Sequence, residues 1–120
     1  RYRVTGPLRG VVACHCRQCR RSSGHHVAAT AARRDDVAIA GDVTWFASSP
    51  EAWRGFSRAL RLELFWEQPG SGWISIFAGT LDLPTGLRLE GHIHVAGKGD
   101  HYEIADGLPQ AEAGDPEMTA

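Results

Sequence analysis

The stretch "VACHCRQCRRSSGHH" (Val12–His26) holds all three cysteines of the chain, Cys14, Cys16 and Cys19, and three of its six histidines. The cysteines follow C-x-C-x-x-C spacing. Thiolates at gaps of one and two residues can converge on one soft cation where the chain turns tightly, and Zn²⁺ accepts tetrahedral thiolate ligands at about 2.3 Å. Three protein ligands leave a fourth position open, the pattern of a catalytic zinc more than of a structural one. Three thiolates on Zn²⁺ carry a net negative charge. Arg17, Arg20 and Arg21 flank the cluster, offset that charge and favour the thiolate forms that binding needs. A redox trio and three inert core cysteines behind the apolar "GVVAC" (Gly10–Cys14) are the other readings. Metal binding is preferred because chance rarely gathers every cysteine of a chain into six residues. His15, between two ligands, is expected to turn its ring away and stand behind them. His25 and His26 read as surface or packing residues.

Outward from that stretch, 120 residues suffice for one domain and hardly for two. Apolar residues are 42% and charged residues 22%, ordinary for a globular protein, and a net charge of −1 gives no basic field for nucleic acid or an anionic membrane. The cations are twelve Arg and a single Lys, Lys98. Arg suits bidentate grip on carboxylates and phosphates, although a GC-rich genome gives the same bias. No run approaches the roughly 18–20 apolar residues of a membrane span, and no signal-peptide pattern is present. A chain opening on Arg1 is expected to have lost residues upstream. Three closely spaced cysteines make a disulfide framework unfavourable, so a reducing, cytoplasmic compartment is expected.

Short apolar runs are punctuated by turn residues. Strands are expected at Tyr2–Thr5 and Gly10–Cys14, a strand or helix at His26–Ala32, and a hairpin over Val37–Ala47 around Gly41-Asp42. Ser48–Phe56 reads as a turn with one helical turn. Trp73–Gly79 and Gly91–Gly97 alternate as strands, and "LDLPTGLRL" allows a short helix or a turn. The sum is a mainly β single domain over residues 1–110, with a small, acidic, disordered tail over 111–120. Trp45, Phe46, Trp53 and Trp66 read as core aromatics before pocket walls.

The segments "VACHCRQCRRSSGHHVAA", "VTWFASSPEAWRGF", "LFW", "WISIFAGTLD" and "HIHVAGKGDHYEI" together resemble the GFA family, named for the glutathione-dependent formaldehyde-activating enzyme. The resemblance implies several short coiled antiparallel sheets and two zinc sites. One is the active site, at Cys14, Cys16 and Cys19. The other is structural and uses an N-terminal C-x-C and a "FCxxCGSxLF" segment. Here "FSRALRLELF" (Phe56–Phe65) has Ser57 and Leu60 where the family has cysteines, and the N-terminal pair is missing. One zinc is therefore expected, with packing around Leu60 and Leu62 in place of the second. A real loss is preferred over a compensated frame shift across residues 57–62, since two separate halves are missing together.

The implied activity is that of a zinc-dependent carbon–sulfur lyase, which joins glutathione or another thiol to formaldehyde or a small aldehyde, and reverses the step. Arg17, Arg20, Arg21 and Ser23 are the expected substrate-binding residues, with His15 or Ser23 as a proton donor. The other function classes are a non-catalytic zinc module and a degenerate thiol-binding protein on the same scaffold.

Overall fold

The computed structural model describes residues 1–59 and 62–119. The protein is mostly β. Nine strands are described: β1 (Tyr2–Val4), β2 (Val11–Cys14), β3 (Val27–Arg33), β4 (Val37–Ile39), β5 (Thr44–Ala47), β6 (Trp53–Ser57), β7 (Leu62–Glu67), β8 (Trp73–Phe77) and β9 (Leu89–Ile93). Two helices, α1 (Arg17–Ser23) and α2 (Pro116–Thr119), and three single 3₁₀ turns complete the described elements. The chain forms two units, one of Arg1–Arg9 with Thr30–Asp82, the other of Gly10–Ala29 with the chain from Leu83 on.

In the first unit β5, β6, β7 and β8 form an antiparallel meander, and β8 neighbours β3. The β8 sequence "WISIF" alternates, so Ile74 and Ile76 are buried while Trp73 faces solvent. Phe65 lies opposite Ile76 in the β7–β8 register, and both are fully buried. They pack with Ala32, Val37 and Ile74 into one core, against which Tyr2, Val4, Ile39 and Trp45 close. Each fully buried Val, Ile or Phe side chain contributes about 1.5–3 kcal/mol. Tyr2 meets Phe65 edge-on at 5.0 Å between ring centres, and its hydroxyl shares a 2.6 Å hydrogen bond with Thr80 Oγ1. Of the other aromatics, Trp45 stacks on Phe65, Trp66 is half-buried, and Phe46 and Trp53 are exposed.

Three local expectations are corrected here. Val37–Ala47 is no hairpin: β4 pairs with β1 and β5 pairs with β6. Gly41, at φ 94°, does turn the chain, but β1 takes the β4 edge because Tyr2 and Val4 then join Val37 and Ile39 in the same core. Trp53–Ser57 is a strand and not a helical turn. Ser57 ends β6, half-buried and opposite Leu62, and Leu62 is 46% exposed, so it does not fill an interior. Leu60 and Arg61 lie outside the described residues.

In the second unit β2 lies between the Val27–Ala29 part of β3, antiparallel, and β9, parallel. A strand covered on both faces reads as a continuous apolar run, and Val11, Val12 and Ala13 are all buried. Residues 109–113 run beside β9. His92 N–H donates to Pro109 O at 2.9 Å, Ala111 N–H donates to His92 O at 2.9 Å, and His94 N–H donates to Ala113 O at 3.0 Å. Small side chains in this segment let two backbones approach. No helix among the described residues is long and apolar enough to cross a membrane.

Candidate metal centre

The cysteine cluster is built where a strand turns directly into a helix. Cys14 is the last residue of β2, opposite Val27 on one side and Ile93 on the other. His15 N–H donates to Ile93 O at 3.0 Å, which holds the turn to β9. Cys16 caps α1 with extended backbone (φ −62°, ψ 160°), and its Sγ accepts the Cys19 N–H at 3.3 Å. A capping side chain that accepts this N–H is the role usually taken by Ser, Asp or Asn. Cys19 then falls in the first helical turn and is buried. The helix stops at Gly24, whose φ of 79° suits glycine and whose N–H donates to Arg20 O at 2.8 Å. This short helix was not anticipated from the sequence. Its signals were present in "CRQCRRSSG": good helix formers between a capping residue and a terminal glycine.

As a result the three sulfurs lie within 4.8 Å of one another. A tetrahedral ion with sulfur at about 2.3 Å sets its ligands about 3.8 Å apart, so small side-chain rotations bring the trio onto one ion. The donor set is all thiol, which selects soft or borderline cations such as zinc. Among the described residues no fourth Cys, His, Asp or Glu joins the group. Hydrogen bonding divides the three unequally. Cys16 is held far below the ordinary thiol range by S–H donation from Cys14 and Cys19 and by backbone N–H groups. Cys14 is pushed far above it by its bonds to Cys16 and Cys19 and by burial.

Gly97 explains how close the neighbouring loop comes. A Cβ there would stand 3.2 Å from Arg17 N and His15 O, and 3.4 Å from Cys16 Cα. The backbone at Gly97 thus lies against the cysteine turn, and Arg20 joins the two, its Nε–H donating to Gly97 O at 3.2 Å. Arg20, Gly24, Lys98, Gly99, Asp100 and His101 line an open recess of ≈ 490 Å³. Arg20 is half-buried, whereas Arg17 and Arg21 are exposed on the helix. Ser23 is exposed, and its hydroxyl closes the helix end by donating to Cys19 O at 2.7 Å and accepting from His25 N–H at 3.1 Å.

The family model of the glutathione-dependent formaldehyde-activating enzyme matches residues 1–97. The chain belongs to this family. No curated protein matches it. In this family member the fold is mostly β and the three cysteines could hold a metal ion.

His15 stands where the sequence placed it, turned away from the sulfurs. Its ring is fully buried, and both nitrogens are occupied: Nδ1 by the Tyr102 hydroxyl, Nε2 by His92 Nδ1 at 2.9 Å. Neither nitrogen is open to a metal, and the expectation of His15 as a proton donor to substrate is corrected for the same reason. What sequence reading missed is how the other histidines gather. His25 and His26 are not isolated: their rings, with His101 and His15, surround Tyr102. Lys98 Nζ lies 4.7 Å from the centre of the same ring and donates to Tyr102 O at 2.7 Å. Burial raises the Tyr102 phenol.

Burial first, then the neighbouring histidines, lower His15 from 6.5 to about 4. Burial lowers His26 as well, followed by His25 and His92. A histidine with depressed folded-state pKa is neutral when folded but binds a proton when unfolded, so it favours unfolding as pH falls. The contribution of His15 is intact above pH 6.5 and is lost as pH falls towards about 4. Thermal unfolding of the metal-free protein should therefore shift to lower temperature between those two pH values. The test is a Tm series at constant ionic strength, in which His15→Gln should flatten the slope.

Proposed function

We propose that this chain is a zinc-dependent carbon–sulfur lyase acting on thiol adducts of formaldehyde or another small aldehyde, with glutathione as the thiol. The single observation that carries this reading is the open trio: three thiols within 4.8 Å on a backbone-fixed turn, with no fourth protein ligand in the group among the described residues. Cys14, Cys16 and Cys19 hold one zinc ion. When bound, zinc supplies Lewis acidity, which favours the thiolate form of an incoming thiol and polarises an aldehyde oxygen. In the forward direction the thiol S–H adds across the aldehyde C=O. The carbon–sulfur bond forms, the carbonyl π bond opens, and the thiol proton ends on oxygen. The reverse step restores thiol and aldehyde. Three free thiols agree with a reducing compartment, and the cytoplasm is the proposed location.

The chain's own contribution is to bind and orient the thiol. Glutathione carries two carboxylates and one ammonium group. Arg20 is fixed by its Nε–H bond to Gly97 O, which leaves the end of the guanidinium fork towards the recess it lines with Lys98, Asp100 and His101. A carboxylate suits Arg20 and Lys98, and an ammonium group suits Asp100. Arg17 and Arg21, exposed on the same helix, add positive field for the second carboxylate. Arg20→Ala should weaken glutathione binding about ten- to a hundredfold, since one charge-assisted pair contributes about 1.5–3 kcal/mol. Titration calorimetry on zinc-loaded protein measures this, and 2-mercaptoethanol, which lacks the charged groups, should bind equally to both proteins.

The activity itself is tested by following free formaldehyde with glutathione present. Zinc-loaded protein should speed its disappearance beyond the spontaneous reaction. No acceleration, with glutathione binding intact, would leave a thiol-binding protein without turnover.

A further inference from the structure

Beyond the cysteines, the second unit carries a continuous chain of hydrogen bonds through its interior. Asp106 Oδ2 meets His92 Nε2 at 2.7 Å, His92 Nδ1 meets His15 Nε2 at 2.9 Å, and His15 Nδ1 meets the Tyr102 hydroxyl. His15 and His92 are buried, at 0% and 4% exposure, whereas the Asp106 side chain is 37% exposed. Tyr102 and Asp106 both lie outside the residues matched by the family model.

The Asp106 end of this chain and the two rings along it are fixed by backbone. Asp106 Oδ1 accepts the Leu108 N–H at 3.0 Å, which orients the carboxylate. His92 exchanges two backbone bonds with Pro109 and Ala111, and it is paired with Ala13 across the β2–β9 ladder. His15 is the residue between Cys14 and Cys16. A side-chain network anchored in this way fixes the orientation of the group at its far end.

The chain also has a direction, which follows from donor and acceptor counting. An ionised carboxylate only accepts, so His92 carries its proton on Nε2. The Nδ1 of a neutral His92 is then an acceptor, so His15 must carry its proton on Nε2. The Nδ1 of a neutral His15 is an acceptor in turn, so the Tyr102 hydroxyl donates. One exposed carboxylate thus selects the tautomer of two buried rings and the orientation of one hydroxyl.

We infer that Asp106 is a positioning residue for the metal centre: acting through His92 and His15, it locks the turn that presents Cys14 and Cys16. The role rests on the zinc reading only for metal affinity, while the tautomers are a property of the metal-free protein. Nitrogen-15 NMR of the histidine rings in the full chain reads the tautomers directly, and chelator competition reads zinc affinity. In the native protein both His15 and His92 should show a protonated Nε2 and a bare Nδ1. Asp106→Ala should leave His92 in mixed tautomers and raise the zinc dissociation constant about tenfold, within the range for groups that orient metal ligands. Tyr102→Phe keeps the ring and removes the last donor. It should leave both rings in the native tautomer, because direction is set from the Asp106 end. A protonated Nδ1 on either ring of the native protein overturns the proposal. So does an Asp106→Ala protein with native tautomers, or one with native zinc affinity. Should Asp106→Ala fail to fold, a Tyr102→Phe protein with altered His92 tautomers would overturn it equally. Native tautomers with unchanged zinc affinity in Asp106→Ala would do so whether or not the chain proves to be a lyase.

Discussion

Replacing Cys16 by Ser should weaken metal binding about a hundredfold. Cys16 Sγ accepts the Cys19 N–H at 3.3 Å, and hydrogen bonds from the other two thiols hold it below the ordinary thiol range. A serine in its place can still cap α1, so the helix and the turn should survive. What is lost is the anionic ligand, because a hydroxyl keeps its proton at neutral pH. Structural zinc sites with four protein ligands contribute about 10–16 kcal/mol in total. Shared over four ligands, that is about 3 kcal/mol each, or about a hundredfold in dissociation constant. Competition with a chromophoric chelator measures it, and circular dichroism establishes that the fold is retained. Affinity within a few-fold of native would mean that Cys16 is not a ligand.

Phe65→Ala should have the largest effect on stability. Phe65 has no exposed surface and stands opposite Ile76, with Tyr2 edge-on at 5.0 Å and Trp45 stacked at 5.8 Å between ring centres. Truncation removes the transfer energy of the ring and leaves a cavity among strands that cannot collapse. A loss of about 3–5 kcal/mol follows, a large part of the roughly 5–15 kcal/mol that holds a domain together. Denaturant unfolding at fixed metal content reads it. Phe65→Leu should recover most of the loss, because it restores most of the volume. A loss below about 1 kcal/mol would show that the core is centred elsewhere.

The cysteine site was legible in the sequence because its chemistry is local. Three ligands within six residues need only one turn to meet, and Cys16 itself caps the helix that makes that turn. The strand in "WISIF" was legible for a similar reason, as period-two alternation shows wherever one face is buried. Pairing was not legible. Gly41-Asp42 marks a turn in either topology, and whether β4 closes on β5 or on β1 depends on which pairing brings Tyr2 and Val4 over Phe65, 63 and 61 residues away in sequence. The buried histidine chain was hidden for the same physical reason. His15, His92, Tyr102 and Asp106 are joined across separations of up to 87 residues, and nothing local to His92 or Asp106 marks them as partners. The helix α1 was missed because its seven residues span too short a window for helical periodicity.

The most direct test of the metal centre is the metal content of the intact chain. Native mass spectrometry on protein purified without chelators, supplemented with zinc and desalted, counts ions bound per folded chain. One zinc per chain is expected, lost in Cys16→Ser and retained in Arg20→Ala. A native chain that retains no zinc, or one that retains two, would contradict a single site at Cys14, Cys16 and Cys19.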